Sequence, residues 1–444
     1  MKALIILALM LALAVPAGAQ EGSDGIFPFD YHLVQFDNGF KAYLIKTGAP
    51  DQIAYVSMVR TGSRDEWEPG KSGFAHFFEH MMFRGTEKYP DYDAETTEMG
   101  AARNAFTSSD MTVYYLVASN EYLEKIIDLE SDRFMNLKYS ESDFRTEAGS
   151  VLGEYQQSAT TPFGFLNEKV SDAAFDKHTY KHTTIGFEAD VRAMPEGFEY
   201  SKSFHQLYYR PENVVLVVAG DLDYGETERL IRQYYSPWEP GYVKPKITPE
   251  PEHEAPREQT VEYPGRTLPV VTVNYLGPAW SESRKPAVAT EVLGEVAFGR
   301  NSEIYKKLVL DERKVQFLNG DFGLQRDPGL LTISAMVIDP ADIDYVKAEI
   351  EGTVQRFREQ PVDPEVLQNT KSNMKYGFLM GLETAQAVAF SLIQPVINTG
   401  GIEAIDEYYR TLESVSPEDV REAARRYLVE NNRTVVTMVQ AGGE

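Results

Sequence analysis

The chain has 444 residues, 43 of them basic and 68 acidic, so its formal net charge is −25. Hydrophobic residues make up 43% of the chain and aromatic residues 12%, which excludes a wholly disordered or collagen-like protein. The acidity disfavours nucleic acid and anionic membrane surfaces as partners, and the absence of cysteine excludes disulfides, thiolate catalysis and cysteine-ligated zinc.

The N-terminal segment, 1–19, has the pattern of a cleavable secretory signal. Lys2 gives a positive start, an apolar run extends from Ala3 to Val15, and Ala17-Gly18-Ala19 matches the Ala-x-Ala cleavage pattern. The apolar run is too short to span a bilayer about 30 Å thick. We therefore expect cleavage after Ala19 and a secreted or periplasmic protein without a stable membrane anchor; an uncleaved N-terminal anchor is the alternative.

The first element predicted after the signal is a β-hairpin. Residues 32–45 read HLVQFDNGFKAYLI, with alternating strands on either side of Asn38-Gly39, a pair typical of tight turns. A strand-like run, IAYVSMVR, follows at 53–60. Helical and extended patterns then alternate up to the apolar run after Asn213, which favours an α+β fold.

A helix-forming segment at 72–83 carries the most informative motif. His76 and His80 are four residues apart, so on a helix both rings project from one face and can hold one metal ion. Glu79 is placed to take a proton from water activated by that metal. This spacing is the inverted zincin pattern, H-x-x-E-H. The alternative is two core histidines beside a buried, paired glutamate, a costly arrangement on an apolar helix.

The next segments add candidate groups. Two extended runs, Asn104 to Thr107 and Thr112 to Val117, are joined by a polar turn, and an ordinary hairpin is one interpretation. Residues 141–157 predict a long helix on which Glu147 and Glu154, seven residues apart, share one face about 10 Å apart. One of these carboxylates can complete a zinc site and the other can support it; a solvated acidic face is the alternative.

Three other histidines are weaker candidates for metal binding. His178 and His182 are also four residues apart, but their neighbours indicate a loop, and we expect a surface or substrate-cleft role. His253 stands between two glutamates, which favours a solvated charge cluster. No phosphate-binding loop, serine nucleophile motif or basic stripe stands out.

One segment resembles an interdomain linker. Residues 237–256 contain six prolines and lack an apolar period. The halves on either side end alike, because Asn213 and Asn432 both precede apolar strands. Extended pairs also open each half, at residues 32–45 and at 260–277, and are predicted to form hairpins. We infer a diverged internal duplication; chance similarity of apolar strands is the alternative.

In combination these features resemble the pitrilysin/insulinase family of zinc peptidases, which includes the mitochondrial processing peptidases. The resemblance rests on His76-Phe-Phe-Glu-His80 and on Glu154, at a family-like distance beyond the second histidine, with Glu147 seven residues before it. It extends over residues 100–114 and over 208–221.

The resemblance implies a role for each candidate. His76, His80 and Glu154 would bind one zinc ion per chain, Glu79 would be the general base, and Glu147 would support the site without binding the metal. A strand beside the metal would pair through its free edge with an extended peptide substrate. The residues of that strand are Asn104, Ala105, Phe106 and Thr107.

The second half departs from the family pattern. Active relatives commonly carry an Arg and a Tyr, seven residues apart, that reach the scissile carbonyl. Val309 and Gln316 occupy those places here, whereas Tyr305 and Arg313 are in the wrong register. We therefore expect a heterodimer whose second subunit is homologous and supplies the Arg/Tyr pair, with a monomer or homodimer as the alternative.

The sequence thus predicts a zinc metallopeptidase acting on peptides or unfolded segments. The expected fold is α+β, with two homologous units, each a mostly antiparallel sheet covered by helices, that form half of a clamshell. The predicted boundaries are a signal at 1–19, a zinc-binding catalytic unit at 20–236, a linker at 237–257 and a non-catalytic unit at 258–444. A catalytically silent assembly subunit and a zinc-binding or peptide-binding protein are the rival functions.

Overall fold

The computed structural model describes residues 25–442, so the predicted signal at 1–19 lies outside the described residues. These residues form two sheets that pack against helices, which confirms the predicted α+β fold of two units. Across 25–442 no single helix is long and apolar enough to span a membrane. One pair of helices, bent by 86° between Thr399 and Ala404, reaches that length and hydropathy only when joined.

The first sheet consists of strands β1 (Tyr31–Gln35), β2 (Lys41–Lys46), β3 (Gln52–Val59), β4 (Ala102–Thr107), β5 (Thr112–Ser119) and β6 (Val214–Gly220). Their order is β1-β2-β6-β3-β5-β4. The pair β2 and β6 is parallel and the other neighbours are antiparallel. Strand β4 pairs with β5 on one side and forms an edge of this sheet. The predicted hairpin at residues 32–45 is present as β1 and β2.

Eight α-helices accompany this sheet: α1 (Phe74–Met81), α2 (Tyr92–Glu98), α3 (Leu123–Asn136), α4 (Glu141–Ala159), α5 (Pro162–Ala174), α6 (Glu188–Ala193), α7 (Phe198–Tyr208) and α8 (Tyr224–Tyr235). The longest, α4, begins at a capping box in which Ser140 and Asp143 satisfy each other's backbone N–H groups. Its buried residues include Phe144, Ala148 and Val151, whose spacing forms the stripe that packs on the core.

The second sheet consists of β7 (Arg257–Tyr263), β8 (Val270–Leu276), β9 (Val315–Asp321), β10 (Leu330–Val337) and β11 (Arg433–Gln440). Its order is β7-β11-β8-β10-β9. Its helices are α9 (Lys285–Phe298), α10 (Glu303–Tyr305), α11 (Ile343–Glu359), α12 (Pro364–Met380), α13 (Ala385–Ser391), α14 (Ile393–Thr399), α15 (Ala404–Ser414) and α16 (Pro417–Tyr427). A π-helical turn, Lys306–Asp311, continues α10.

The two sheets share one topology. Strands β2, β6, β3, β5 and β4 of the first sheet correspond in order and direction to β7, β11, β8, β10 and β9 of the second. The side chains of Asn213 and Asn432 make the same hydrogen bond: each Nδ2 donates, at 2.9 Å, to the carbonyl of the tyrosine five residues earlier. These matching features support the duplication inferred from the sequence.

The hairpin predicted at the start of the second half is wrong. Strands β7 and β8 are not neighbours, because β11 lies between them, parallel to β7 and antiparallel to β8. Strand β11 is almost wholly buried, whereas residues of β7 alternate between exposed and half-buried positions. The more apolar C-terminal strand therefore takes the central position, and local alternation in the sequence does not specify this partner.

Helices of each unit pack against the sheet of the other unit. Helices α13 and α14 of the second unit cover the face of the first sheet that carries Tyr43, Val56 and Val217. Reciprocally, Leu166 and Val170 of α5 pack against Val270, Val436 and Met438 of the second sheet. Residues 236–256, all of them described, contain neither helix nor strand and connect the two units.

Candidate metal centre

The histidine pair lies on α1, which the core fixes firmly. Phe74, Phe77, Phe78 and Met81 are buried, so the residues between them are turned toward the opposite face. The helix begins after Gly73, whose φ of +94° is a left-handed conformation that favours glycine. A Cβ atom at Gly73 would lie 2.3 Å from the Ile185 carbonyl oxygen, so this turn could not carry a side chain.

A buried carboxylate caps the start of α1. Glu66 accepts hydrogen bonds from the N–H groups of Gly73 at 2.7 Å and Ala75 at 2.6 Å. Burial raises the pKa of Glu66 well above its usual range, and the two backbone hydrogen bonds act in the opposite direction. Sequence analysis missed this residue. The available signal was a helix whose N-cap glycine has no side chain to bind its first N–H groups.

Three ligand atoms converge at the other face of α1. The His76 Nε2 atom lies 3.4 Å from Glu154 Oε2, and His80 Nε2 lies 3.5 Å from Glu154 Oε1. Ligands about 2.1 Å from a tetrahedral zinc ion are about 3.4 Å apart, so these separations suit zinc. The structure thus brings together the three residues that the family resemblance implies as ligands.

Glu147 supports His80 from the far side of its ring. Its Oε1 atom lies 2.9 Å from His80 Nδ1, while Arg84 donates to Oε2 from both Nε, at 2.9 Å, and Nη2. With Nε2 as the ligand atom, Nδ1 carries the proton and donates it to the carboxylate. Sequence analysis also missed Arg84, although its spacing of four residues from His80 puts both on one side of the chain.

The two imidazoles differ in their electrostatic surroundings. Burial, followed by the nearby His80, lowers the pKa of His76 to about 4. Burial also lowers the pKa of His80, but the hydrogen bond to Glu147 and the charge of Glu154 outweigh it and leave that pKa raised. The hydrogen bond from His80, aided by Arg84, lowers the pKa of Glu147 despite its burial. An ionised carboxylate therefore stands behind one histidine only.

Glu79 sits between α1 and the edge strand. Its Oε2 atom accepts a hydrogen bond of 2.6 Å from the Thr107 hydroxyl. Burial raises the pKa of Glu79, whereas the Thr107 hydrogen bond and the neighbouring His80 lower it. A carboxyl group whose pKa lies above its ordinary value is suited both to accept and to release a proton.

The candidate substrate strand is β4, at the edge of the first sheet. Asn104 is exposed and its Oδ1 accepts the N–H of Ala105 at 2.9 Å, so this side chain bonds the strand itself and not the following turn. Phe106 and Thr107 are half-buried. Asn104 also lines a cavity of about 380 Å³ together with Glu79 and His80. All residues that line this cavity belong to the first unit.

The other histidine pair lies inside the protein. His178 and His182 are 2% and 7% exposed, so the surface alternative of the prediction is wrong, whereas the substrate-cleft alternative stays a prediction. His178 is held at the junction between the units, with Nε2 3.0 Å from Asp327 Oδ2 and Nδ1 accepting the Tyr180 N–H at 3.0 Å. His182 is one of the side chains lining a cavity of about 340 Å³ between the units. Within residues 25–442 neither belongs to a group of potential metal ligands.

The prediction for His253 is also wrong. Its side chain is 1% exposed and is not part of a solvated cluster. The segment that contains it folds back on the loop after α5, where Glu250 accepts the Asp176 N–H and Asp176 lies close to the ring. The glutamates beside His253 in the sequence favoured a solvated position, because the local sequence does not reveal a contact with a distant segment.

Two sequence profiles match the chain. The family described as insulinase, peptidase family M16, matches residues 44–187, and the M16 inactive domain matches residues 198–374. The first match includes every candidate site residue, from His76 to Glu154.

Similar proteins cover nearly the whole chain. The zinc protease PqqE of Helicobacter pylori is 27% identical over 97% of both chains. The beta subunit of the mitochondrial processing peptidase of Caenorhabditis elegans is 22% identical over 93% of this chain and 90% of its own length. Among solved structures, a protease from Helicobacter pylori superposes with a TM-score of 0.84 at 25% identity, covering 92% of this chain and 99% of its own.

Proposed function

The chain belongs to the insulinase family of peptidases, M16, and from that membership we propose that it is a zinc-dependent endopeptidase or oligopeptidase. The observation that carries the proposal is the convergence of His76 Nε2 and His80 Nε2 on the Glu154 carboxylate, at 3.4 and 3.5 Å, beside Glu79. Relatives named as zinc proteases support the same conclusion.

In this proposal His76, His80 and Glu154 hold the metal. When bound, zinc would polarise the scissile carbonyl and lower the pKa of water toward about 7. Glu79 takes the proton from the attacking water and delivers it to the leaving amine, a role that its raised pKa suits. Glu147 and Arg84 fix the ring of His80 so that its Nε2 faces the metal position.

Extended peptides are the proposed substrates. Strand β4 is an edge strand, and such strands bind extended chains through backbone hydrogen bonds that tolerate many side chains. Thr107 links this strand to Glu79 directly, so a peptide aligned along β4 would pass beside the general base. Folded proteins do not present such a segment, which restricts substrates to peptides and unfolded stretches.

We further propose that a second, homologous subunit completes the site. The cavity beside Glu79 and His80 is lined by residues of the first unit alone. Val309 lies in the π-helical turn, and Gln316 is an exposed residue of β9; neither side chain can donate the charged hydrogen bonds of an Arg/Tyr pair. A relative named as the beta subunit of a processing peptidase is consistent with a two-subunit assembly. Export of the chain, supported by residues 1–19, is proposed with it.

The test is hydrolysis of a mixed peptide library, followed by mass spectrometry before and after chelation. Glu79→Gln should retain zinc and lose cleavage, whereas Glu141→Gln, at the exposed start of α4, should cleave like the wild type. A silent assembly subunit or a zinc-binding protein would give no cleavage that depends on Glu79, so either no cleavage with or without a partner, or cleavage unchanged by Glu79→Gln, would refute the proposal.

A further inference from the structure

His253 belongs to the linker between the two units, yet its side chain is buried. Its side chain is 1% exposed, and neither Nδ1 nor Nε2 makes a hydrogen bond of good geometry within residues 25–442, although the backbone of Ala174 interacts with the ring. A buried imidazole without well-formed hydrogen bonds loses those that water would provide, which costs free energy. A ligand that accepts a lone pair from one ring nitrogen would remove that cost.

Two carboxylates lie next to this ring. The Glu250 Oε1 atom is 3.8 Å from His253 Nε2, too far for a hydrogen bond. Asp176, from the loop after α5, completes a group in which one ligand atom of each residue lies within 4.8 Å of the others. The 3.8 Å separation exceeds the spacing of about 3.4 Å between tetrahedral zinc ligands, and none of the three exceeds 4.8 Å, so small side-chain movements would close the group around an ion.

The carboxylates are held in place by groups other than His253. Glu250 accepts the backbone N–H groups of Asp176 at 2.7 Å, and of Lys177 and His178 at 2.9 Å each. Arg257 donates to Asp176 Oδ2 at 2.6 Å. Donors that orient a ligand from behind are typical of metal sites, since they reduce the ordering needed on binding.

The local charge favours a divalent cation. Asp176 and Glu250 contribute two negative charges, and Arg257 offsets one of them, so the group as a whole retains a negative charge. A neutral imidazole together with two carboxylates is a donor set suited to zinc.

We propose that Asp176, Glu250 and His253 form a second Zn²⁺ site, separate from the centre on α1, with water completing the coordination. Glu250 and His253 belong to the linker, whereas Asp176 belongs to the first unit. Zinc at this position would fasten the linker to the loop after α5. The site is structural, because Asp176, Glu250 and His253 would all serve as ligands and Arg257, which holds Asp176, is a cation that cannot act as a base.

Zinc stoichiometry of the full chain tests the proposal. The protein is stripped with a chelator, dialysed against buffered free Zn²⁺ and analysed by plasma emission. We expect two zinc ions per wild-type chain, one in His253→Ala and one in the double variant His76→Ala/His80→Ala. The double variant reports on the linker site alone, so failure of this site and failure of the proposed catalytic centre are distinguishable.

Two further variants sharpen the test. Asp176→Asn keeps the size of the side chain and an oxygen for Arg257, and should also bind one zinc ion fewer. Glu254→Gln removes a linker charge outside the group and should bind as the wild type does. In the double variant, added Zn²⁺ should raise the Tm, and adding His253→Ala or Asp176→Asn should abolish that rise. A double variant that binds no zinc, or a folded His253→Ala chain that still binds two ions, overturns the proposal.

Discussion

The Nδ1 atom of His80 lies 2.9 Å from the Oε1 atom of Glu147, while Arg84 holds the other oxygen of the same carboxylate. His76 has no such support, since its Nδ1 is buried and has no hydrogen-bond partner within residues 25–442. Glu147 therefore orients the ring of His80 but not that of His76, and removing this carboxylate should have a measurable effect.

Glu147→Gln should weaken zinc affinity or the rate of peptide hydrolysis by about 10–100-fold, the usual effect of losing a group that orients a ligand. The amide removes the charge that favours a proton on His80 Nδ1. Competition with a chromogenic chelator measures the affinity, and Glu141→Gln on the same helix is the control. A variant with unchanged affinity and rate would show that Glu147 is a bystander.

Loss of a ligand should be more severe than loss of its support. His76→Ala, His80→Ala and Glu154→Gln should each lose stoichiometric zinc from the α1 centre, because two remaining ligands do not hold the ion. Metal analysis in a His253→Ala background removes the contribution of the proposed linker site. If Glu154→Gln kept full metal and full activity, the third ligand would be another residue, with Glu147 the next candidate.

The pH dependence of the rate should report on Glu79. Thr107 donates to this carboxylate and so favours its charged form, which lowers its pKa. Thr107→Val should therefore raise the pKa of Glu79, and the acid limb of kcat should move to higher pH. Thr107→Ser, which keeps the hydroxyl, is the matched control. A shift to lower pH, or none, would contradict the assignment of Glu79 as the proton acceptor.

Glu66 should matter for stability and for the metal together. Glu66→Ala leaves the buried N–H groups of Gly73 and Ala75 without an acceptor, which should cost about 1–3 kcal/mol of unfolding free energy for each orphaned group. Since α1 begins there, zinc affinity should fall as well. Urea denaturation and zinc titration measure the two effects. Glu68→Ala, two residues away, should change neither by a comparable amount.

The isolated chain should be a slow enzyme. Without an Arg/Tyr pair to stabilise the developing oxyanion, turnover should be about 10²–10³ times slower than in the complete assembly. Fluorogenic peptide hydrolysis and light scattering test the chain alone and with a candidate homologous subunit. Turnover on the order of 10 s⁻¹ from the isolated chain would exclude the need for a partner.

The sequence reveals the features that depend on local spacing. The duplication was visible in the repeated strands after Asn213 and Asn432, and the H-x-x-E-H spacing placed both histidines on one face of α1. It does not reveal strand partners: β11 separates β7 from β8, although both strands have an extended pattern.

Contacts between distant segments also escape the sequence. The side chain of His253 is buried close to Asp176, which is far earlier in the chain, whereas its flanking charges predicted a solvated position. Spacing alone likewise does not tell which of Glu147 and Glu154 would bind the metal and which would support the site. The two positions differ in how they meet the ring of His80, since Glu147 lies at its Nδ1 and Glu154 lies near its Nε2.

The reciprocal packing of α5 and α13 bears on the origin of this architecture. Shifted by the same interval that relates Asn213 to Asn432, α5 falls on α13, so corresponding helices cover each other's sheets. A half-length ancestor would have left one apolar sheet face bare unless a second copy lent its helix. The chain thus has the arrangement expected of two half-length copies that exchange one helix, with residues 236–256 as the connection between them.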